Sequence, residues 1–314
     1  MELLTQHQAH KAMDGDGVNI RRVADFNKLE FDPFLMIDEI KSDDKSDFIG
    51  GFPPHPHRGI ETFTYILKGG FEHKDQLGNV KAIRAGDVQW MSTGSGVIHS
   101  EMPLADSHEG LHGFQIWLNM PAKDKMRPAR YQDSGELVLP ELTEAGVHFK
   151  VLAGSWHFGE QTLISPLSEL AGSAKIADLT FKANAKVALN LGVDNNENQF
   201  VGVYLYSGSL QQTSFTSRDS NQQNVAYPAG QLLVLDSQTP LQLQAGDDGA
   251  GLLLLTGQAI NETVVHMGPF VMNTQAEIRQ AVEDYQMGAL AKSTSDNLER
   301  LHINASEYAR IFIG

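Results

Sequence analysis

Two stretches of this chain carry the same β-strand pattern twice, in the same order, and that repeat limits the folds open to it. Val201-Gly-Val-Tyr-Leu-Tyr-Ser-Gly-Ser-Leu210 lies over Thr62-Phe-Thr-Tyr-Ile-Leu-Lys-Gly-Gly-Phe71, which sets Tyr204 on Tyr65 and Gly208 on Gly69. Further on, Tyr227-Pro-Ala-Gly-Gln-Leu-Leu-Val-Leu-Asp236 lies over Ile83-Arg-Ala-Gly-Asp-Val-Gln-Trp-Met-Ser92, with Gly230 on Gly86. The register slips by five residues between the two matches, the size of a loop insertion. Between them, short alternating segments such as Phe34-Leu-Met-Ile37, Asn79 to Ile83 and Phe114 to Asn119 recur about every eight to twelve residues, the spacing of a sandwich or barrel. Gly outnumbers Pro, 29 against 12, which favours many tight turns over long helices.

The expected fold is therefore all-β: two antiparallel β-barrels spanning 1–135 and 136–272, with a helix and tail over 273–314. The helix is signalled by Thr274-Gln-Ala-Glu277, a capping box, followed by Ile278, Ala281, Val282 and Tyr285 at helical spacing and by Gly288 as its stop.

Hydrophobic residues make up 41% of the chain and charged residues 20%, enough to bury real cores. The formal net charge of −15 repels phosphate backbones and anionic lipid headgroups, so neither direct nucleic-acid binding nor membrane binding is expected. There is no cysteine, which removes disulfides, thiolate catalysis and thiolate metal sites together. The first residues lack the apolar core of a signal peptide and no 18-residue apolar run occurs, so the expected location is cytoplasmic.

Any transition metal here must use imidazole and carboxylate ligands. His55-Pro-His57 offers two imidazoles on one face of a strand, because side chains two apart point the same way. The intervening Pro cannot donate to a ladder and suits a strand start or an edge. His99-Ser-Glu101 repeats the spacing after Gly94-Ser-Gly-Val-Ile98. Three imidazoles and one carboxylate suit Fe(II), Mn, Ni, Co, Cu or Zn rather than a Ca or Mg cage. Open coordination positions would point to chemistry rather than to structural stapling.

Gly50-Gly-Phe-Pro-Pro-His-Pro-His-Arg-Gly-Ile-Glu-Thr-Phe63 resembles the cupin metal motif in the version found in pirins. The resemblance continues at Asp32-Pro-Phe-Leu-Met-Ile-Asp-Glu39, Gly86-Asp-Val-Gln-Trp-Met91, Gly96-Val-Ile-His-Ser-Glu-Met-Pro103 and Gln115-Ile-Trp-Leu-Asn119. It extends to Lys123-Asp-Lys-Met126, Pro128-Ala-Arg-Tyr131 and Gly268-Pro-Phe-Val-Met-Asn273, and so runs from about residue 20 to 290. The general cupin pattern has Pro where Gly94 stands here, a pirin-like departure.

The resemblance implies a bicupin, two jelly-roll-like barrels with one divalent metal in the N-terminal barrel, bound by His55, His57, His99 and Glu101, with Fe(II) the expected ion. Glu61, in the carboxylate slot of the general motif, is expected to stand behind the ligands. The implied activity is that of a quercetin 2,3-dioxygenase (quercetinase), an oxidoreductase that opens a flavonol-like ring with O2. Its partners would be a small aromatic substrate and O2, with Glu101 as both ligand and catalytic base. The alternative is a non-catalytic, metal-dependent regulator that binds a protein partner. Carried across the repeat, the four ligand positions fall on Asp194, Asn196, Leu243 and Ala245, so the second barrel is expected to hold no metal.

Other residues are weaker candidates. His108-Glu-Gly-Leu-His112 fits the zinc-protease pattern H-E-x-x-H, but Gly110 and Gly113 weaken any helix there and a strand begins by about Phe114. His73 and Asp75 are expected at a pocket mouth or at a solvated hairpin tip. Arg58 is expected to brace a carboxylate, and Trp90, Met91 and Phe52 to line a pocket or fill the core.

Overall fold

The computed structural model describes residues 2–26, 29–135, 137–191, 199–211, 216–217, 226–236 and 240–291. Strand follows strand through these residues, and they contain one α-helix, Gln275–Gln286. No described helix is long and apolar enough to cross a membrane.

Contacts divide the chain into two compact units. One comprises Met1–His10, Arg22–Ile37 and Glu136–Ile260, the other Lys11–Arg21, Asp38–Gly135 and Asn261–Gly314. One boundary between the units falls at Gly135/Glu136, and each unit also takes in chain from the far side of it. Strand Glu2–Gln8 runs antiparallel to Gln231–Leu235, with Gln6 opposite Leu233 and His7 opposite Leu232, which places the first residues in the later unit. In the other direction, the Val271 N–H donates to the Arg58 carbonyl at 3.0 Å and holds the segment after residue 260 in the earlier unit. Strand edges choose partners by long-range pairing, which local sequence pattern does not encode.

The repeat corresponds to equivalent places in the two units. Ile60–Lys68 lies between Val88–Ser92 and Leu111–Asn119, while Gln199–Leu210 lies between Gln231–Leu235 and Leu241–Gln258. The matched glycines share backbone conformations that disfavour a side chain: φ is +73° at Gly69 and +63° at Gly208, +93° at Gly86 and +90° at Gly230.

The later unit is filled by an apolar cluster that includes Phe149, Trp156, Val203, Leu205, Leu233, Leu252 and Leu254. The earlier unit has two larger sheets besides the short pair Val265–Met267 and Phe270–Met272. Four strands run in the order Phe52–His57, Val97–Pro103, Gly70–Asp75, Val80–Arg84. Seven run in the order Arg130–Asp133, Val88–Ser92, Ile60–Lys68, Leu111–Asn119, Phe34–Ser42, Val18–Ala24, His10–Asp14.

The helix begins at its expected cap: the Thr274 hydroxyl accepts from the Glu277 N–H at 3.2 Å, while the Glu277 carboxylate reaches one residue beyond the cap and accepts from the Asn273 N–H at 3.2 Å. Its apolar face, Ile278 and Ala281 with Val282 and Tyr285 beside them, packs on Ile98, Phe270 and Met272 of the same unit. Residues 292–314 lie outside the described set.

Candidate metal centre

The four-stranded sheet positions the predicted ligands. Phe52–His57 is its edge strand, which is why a run containing Pro53, Pro54 and Pro56 is tolerated there. Across the ladder His55 faces His99 and His57 faces Val97. The register breaks between His99 and Glu101, so that Glu101 comes opposite Phe52. A bulge of this kind re-aims side chains near functional sites. On the other flank of the same strand the register is regular, with His99 opposite Asp75 and Glu101 opposite His73.

Three imidazoles converge. Ring centroids lie 4.8 Å apart for His55 and His57, 4.3 Å for His55 and His99, and 5.0 Å for His57 and His99. One donor atom from each lies within 4.8 Å of the others, a set that could hold a metal ion. Glu101 joins a second, fully buried set with His73 and His99 at the same spacing, so His99 is common to both. Glu101 Oε1 accepts from Gln89 Nε2 at 2.8 Å and from the Thr64 hydroxyl at 3.2 Å, both on the seven-stranded sheet.

Burial and mutual repulsion prepare the imidazoles for a cation. Burial lowers the pKa of His55, against opposing contributions from the Pro53 carbonyl and Glu101. His57 and His99 are pushed well below the ordinary imidazole value by burial and then by the neighbouring rings. All three therefore present neutral rings with free lone pairs near pH 7. The His55 Nδ1–H donates to the Pro53 carbonyl at 2.8 Å, which leaves Nε2 as its donor to an ion. His57 Nδ1 and His99 Nε2 are buried with no hydrogen-bond partner. Leaving such an atom unsatisfied costs about 1–3 kcal/mol. A bound cation would satisfy both, so the donor set fits a first-row transition metal.

Parts of the surround were not evident from the sequence. His73 and Asp75 do not sit at a solvated tip: both are buried, at 0% and 4% exposure, on strand Gly70–Asp75. His73 Nε2 lies 3.3 Å from Asp75 Oδ2, and His73 Nδ1 lies 3.5 Å from His99 Nδ1. Burial raises the Asp75 pKa, but hydrogen bonds from His73 and Asn79 outweigh that and hold it below the ordinary value. The i, i+2 spacing of His73 and Asp75, the same signal as in the ligand pairs, was available to find them. Thr64 and Gln89 carried no such signal. Trp117 closes on His57 edge to face at 4.9 Å.

Glu61 sits three residues from Thr64, so strand alternation turns it to the opposite face, where it accepts from Trp90 Nε1 and Arg127 Nη2 at 3.0 Å each. Trp90 shares that face and does not line the site, whereas Met91 is buried and alternates with it. Arg58 braces a carboxylate as expected, Asp284 of the helix, at 2.7 Å. His112 lies on strand Leu111–Asn119 and meets Glu39 at 2.9 Å, while His108 falls in the single 3-10 turn Ser107–Glu109, so the H-E-x-x-H match has no α-helix to stand on. In the later unit Leu243 and Ala245 belong to the apolar filling, while Asp194 and Asn196 lie outside the described residues.

Comparison with known proteins identifies the family and the fold. The family model described as Pirin matches residues 17–118, and that described as Pirin C-terminal cupin domain matches 176–291. A Vibrio cholerae protein named "Putative quercetin 2,3-dioxygenase" is 45% identical over 282 residues, covering 89% of this chain and 94% of that protein. A Pseudomonas aeruginosa protein of the same name is 39% identical over 293 residues, covering 92% and 98%. The crystal structure of quercetin 2,3-dioxygenase from Acinetobacter baumannii superposes with a TM-score of 0.76 at 27% identity, covering 93% of this chain and 99% of that one. The fold is a bicupin, mostly β with one described helix, and the chain belongs to the pirin family.

Proposed function

We propose that this chain is a metal-dependent dioxygenase of the quercetin 2,3-dioxygenase type, opening a flavonol-like ring with O2 at a mononuclear site held by His55, His57, His99 and Glu101. The observation that carries this reading is the convergence of three imidazoles, two of which, His57 and His99, each hold a buried ring nitrogen with no hydrogen-bond partner. Relatives named for the activity, matched over most of their length, support the reaction class.

A divalent ion here, Fe(II) by expectation and Mn, Ni, Co, Cu or Zn with the same donors, would supply Lewis acidity and bring a substrate oxygen and O2 together. The chain's own part is proton handling and orientation. Gln89 and Thr64 hold Glu101 through Oε1, so its other oxygen is the one to receive the proton of a substrate hydroxyl. The Trp117 ring against His57 limits the tilt of that imidazole.

The second reading is a non-catalytic, metal-dependent regulator that binds a protein partner. It is favoured by the later unit, whose apolar interior offers no chemistry. Oxygen uptake with quercetin, measured on protein reconstituted separately with each of the six metals, separates the two. Uptake is expected with at least one metal, and Glu101→Gln is expected to retain much of the metal but lose most turnover. No uptake with any metal would favour the regulator; full uptake in Glu101→Gln would remove that residue from the mechanism.

A further inference from the structure

Behind the imidazole shared by both donor sets stands a chain of buried groups that the proposed reaction does not use. Asp75 Oδ1 accepts from the N–H groups of Leu77 and Asn79 at 2.9 and 3.0 Å, and Oδ2 accepts from Asn79 Nδ2 at 2.7 Å. This anchored carboxylate offers only acceptors, so the His73 nitrogen beside it, Nε2, carries the proton. In the neutral ring His73 Nδ1 is then the lone pair, and it faces His99 Nδ1 at 3.5 Å. His99 must donate from Nδ1, which strips the proton from its Nε2, the buried atom without a partner. Tyr131 stacks on the His73 ring at 4.8 Å and 24° and so fixes the plane through which this alternation passes.

We propose that Asp75 and His73 are positioning residues that set the tautomer and orientation of His99, presenting its Nε2 lone pair to the metal. The inference rests on the reading of His99 as a ligand. It assigns the outer partner of that ligand to an imidazole backed by a carboxylate, whereas His55 has only a single backbone carbonyl in that place. Outer partners of ligating histidines typically change metal affinity 10- to 100-fold when removed.

The two positions predict different damage. His73→Phe preserves the ring stacked on Tyr131 but deletes the acceptor for His99. Asp75→Asn keeps an oxygen for the turn but can set an N–H donor against His73 Nε2. That reverses both tautomers in turn and leaves a proton on His99 Nε2, where the metal should bind. Asp75→Asn is therefore the more harmful change to metal binding, although it is the smaller change in shape and lies one residue further away.

The test uses the full-length, metal-free protein titrated with Cu(II) against a chromophoric chelator, with copper EPR at saturation and melting of each metal-free variant. The expected result is one tight copper in the wild type and a loss of affinity of about 10-fold or more in His73→Phe. The loss is larger in Asp75→Asn, with altered copper hyperfine splitting in both. His157→Gln, on an exposed position of the later unit, should match the wild type. Should Asp75→Asn not fold, His73→Gln replaces it: its amide oxygen can accept from His99, so it should bind better than His73→Phe. Wild-type affinity and spectrum in the His73 and Asp75 variants would overturn the proposal. So would losses that merely follow the melting temperatures with an unchanged spectrum. Absence of tight copper in the wild type would instead overturn the reading of the site itself.

Discussion

Acidification of the metal-free protein should destabilise the unit that carries the site, by an amount the burial of its imidazoles fixes. His57 and His99 are buried and held well below 6.5, their ordinary value, which they regain in the unfolded chain. As pH falls through that value the unfolded state takes up protons that the folded state refuses, so stability rises with pH and is lost on acidification. Each imidazole that stays neutral in the folded chain contributes about 1.3 kcal/mol of loss between pH 7 and pH 5.5, or about 2.5 kcal/mol for the pair. His55 adds in the same direction, and Asp75, lowered from 3.8, acts only below this window.

For a unit of this size the loss corresponds to a fall in Tm of about 5–10 °C. Urea unfolding at the two pH values measures it, read by tryptophan fluorescence in a Trp156→Phe background. The remaining Trp90 and Trp117 both belong to the unit with the site. The double variant His57→Gln/His99→Gln should lose most of the pH dependence. Equal stability at pH 7 and pH 5.5, within about 0.5 kcal/mol, or greater stability at the lower pH, would refute the reasoning.

Two further outcomes follow from packing. Leu243→Ala should destabilise the later unit by about 2–5 kcal/mol, seen as a shift of its own melting transition, while copper uptake stays at the wild-type level. Thr274→Ala should cost about 1 kcal/mol by removing the helix cap, measurable as faster amide exchange in the first turn of Gln275–Gln286.

The parts of this protein that were legible in its sequence share one property: their signal is local. His55 and His57, like His99 and Glu101, announce themselves by period-two spacing, and the proline-rich run marks an edge strand. The matched glycines, Gly69 with Gly208 and Gly86 with Gly230, turn the backbone in the same sense in both units. What was hidden depends on burial or on distant pairing. His73 and Asp75 have the spacing of a ligand pair, but only the pairing of their strand beside His99 and Glu101 shows them to be interior. Glu61 illustrates the reverse: a motif slot suggested a place near the ligands, and strand parity sends it to the other face, to Trp90 and Arg127. Gln89 and Thr64 matter only because the seven-stranded sheet brings them to Glu101. The antiparallel pairing of Glu2–Gln8 with Gln231–Leu235 spans more than two hundred residues, and no nearby residue foretells it.

The exchange of terminal segments bears on how the protein is made. A ribosome will have emitted all four proposed ligands by position 101, yet the support behind them arrives last: Asp284 for Arg58, and Phe270, Met272 and Ile278 for Ile98. A nascent chain halted at residue 260 would expose the back of the ligand strands to water. If the proposed site takes a metal, its capture should accordingly belong to the end of synthesis, and a fragment cut at 135 should bind added metal more loosely than the intact chain.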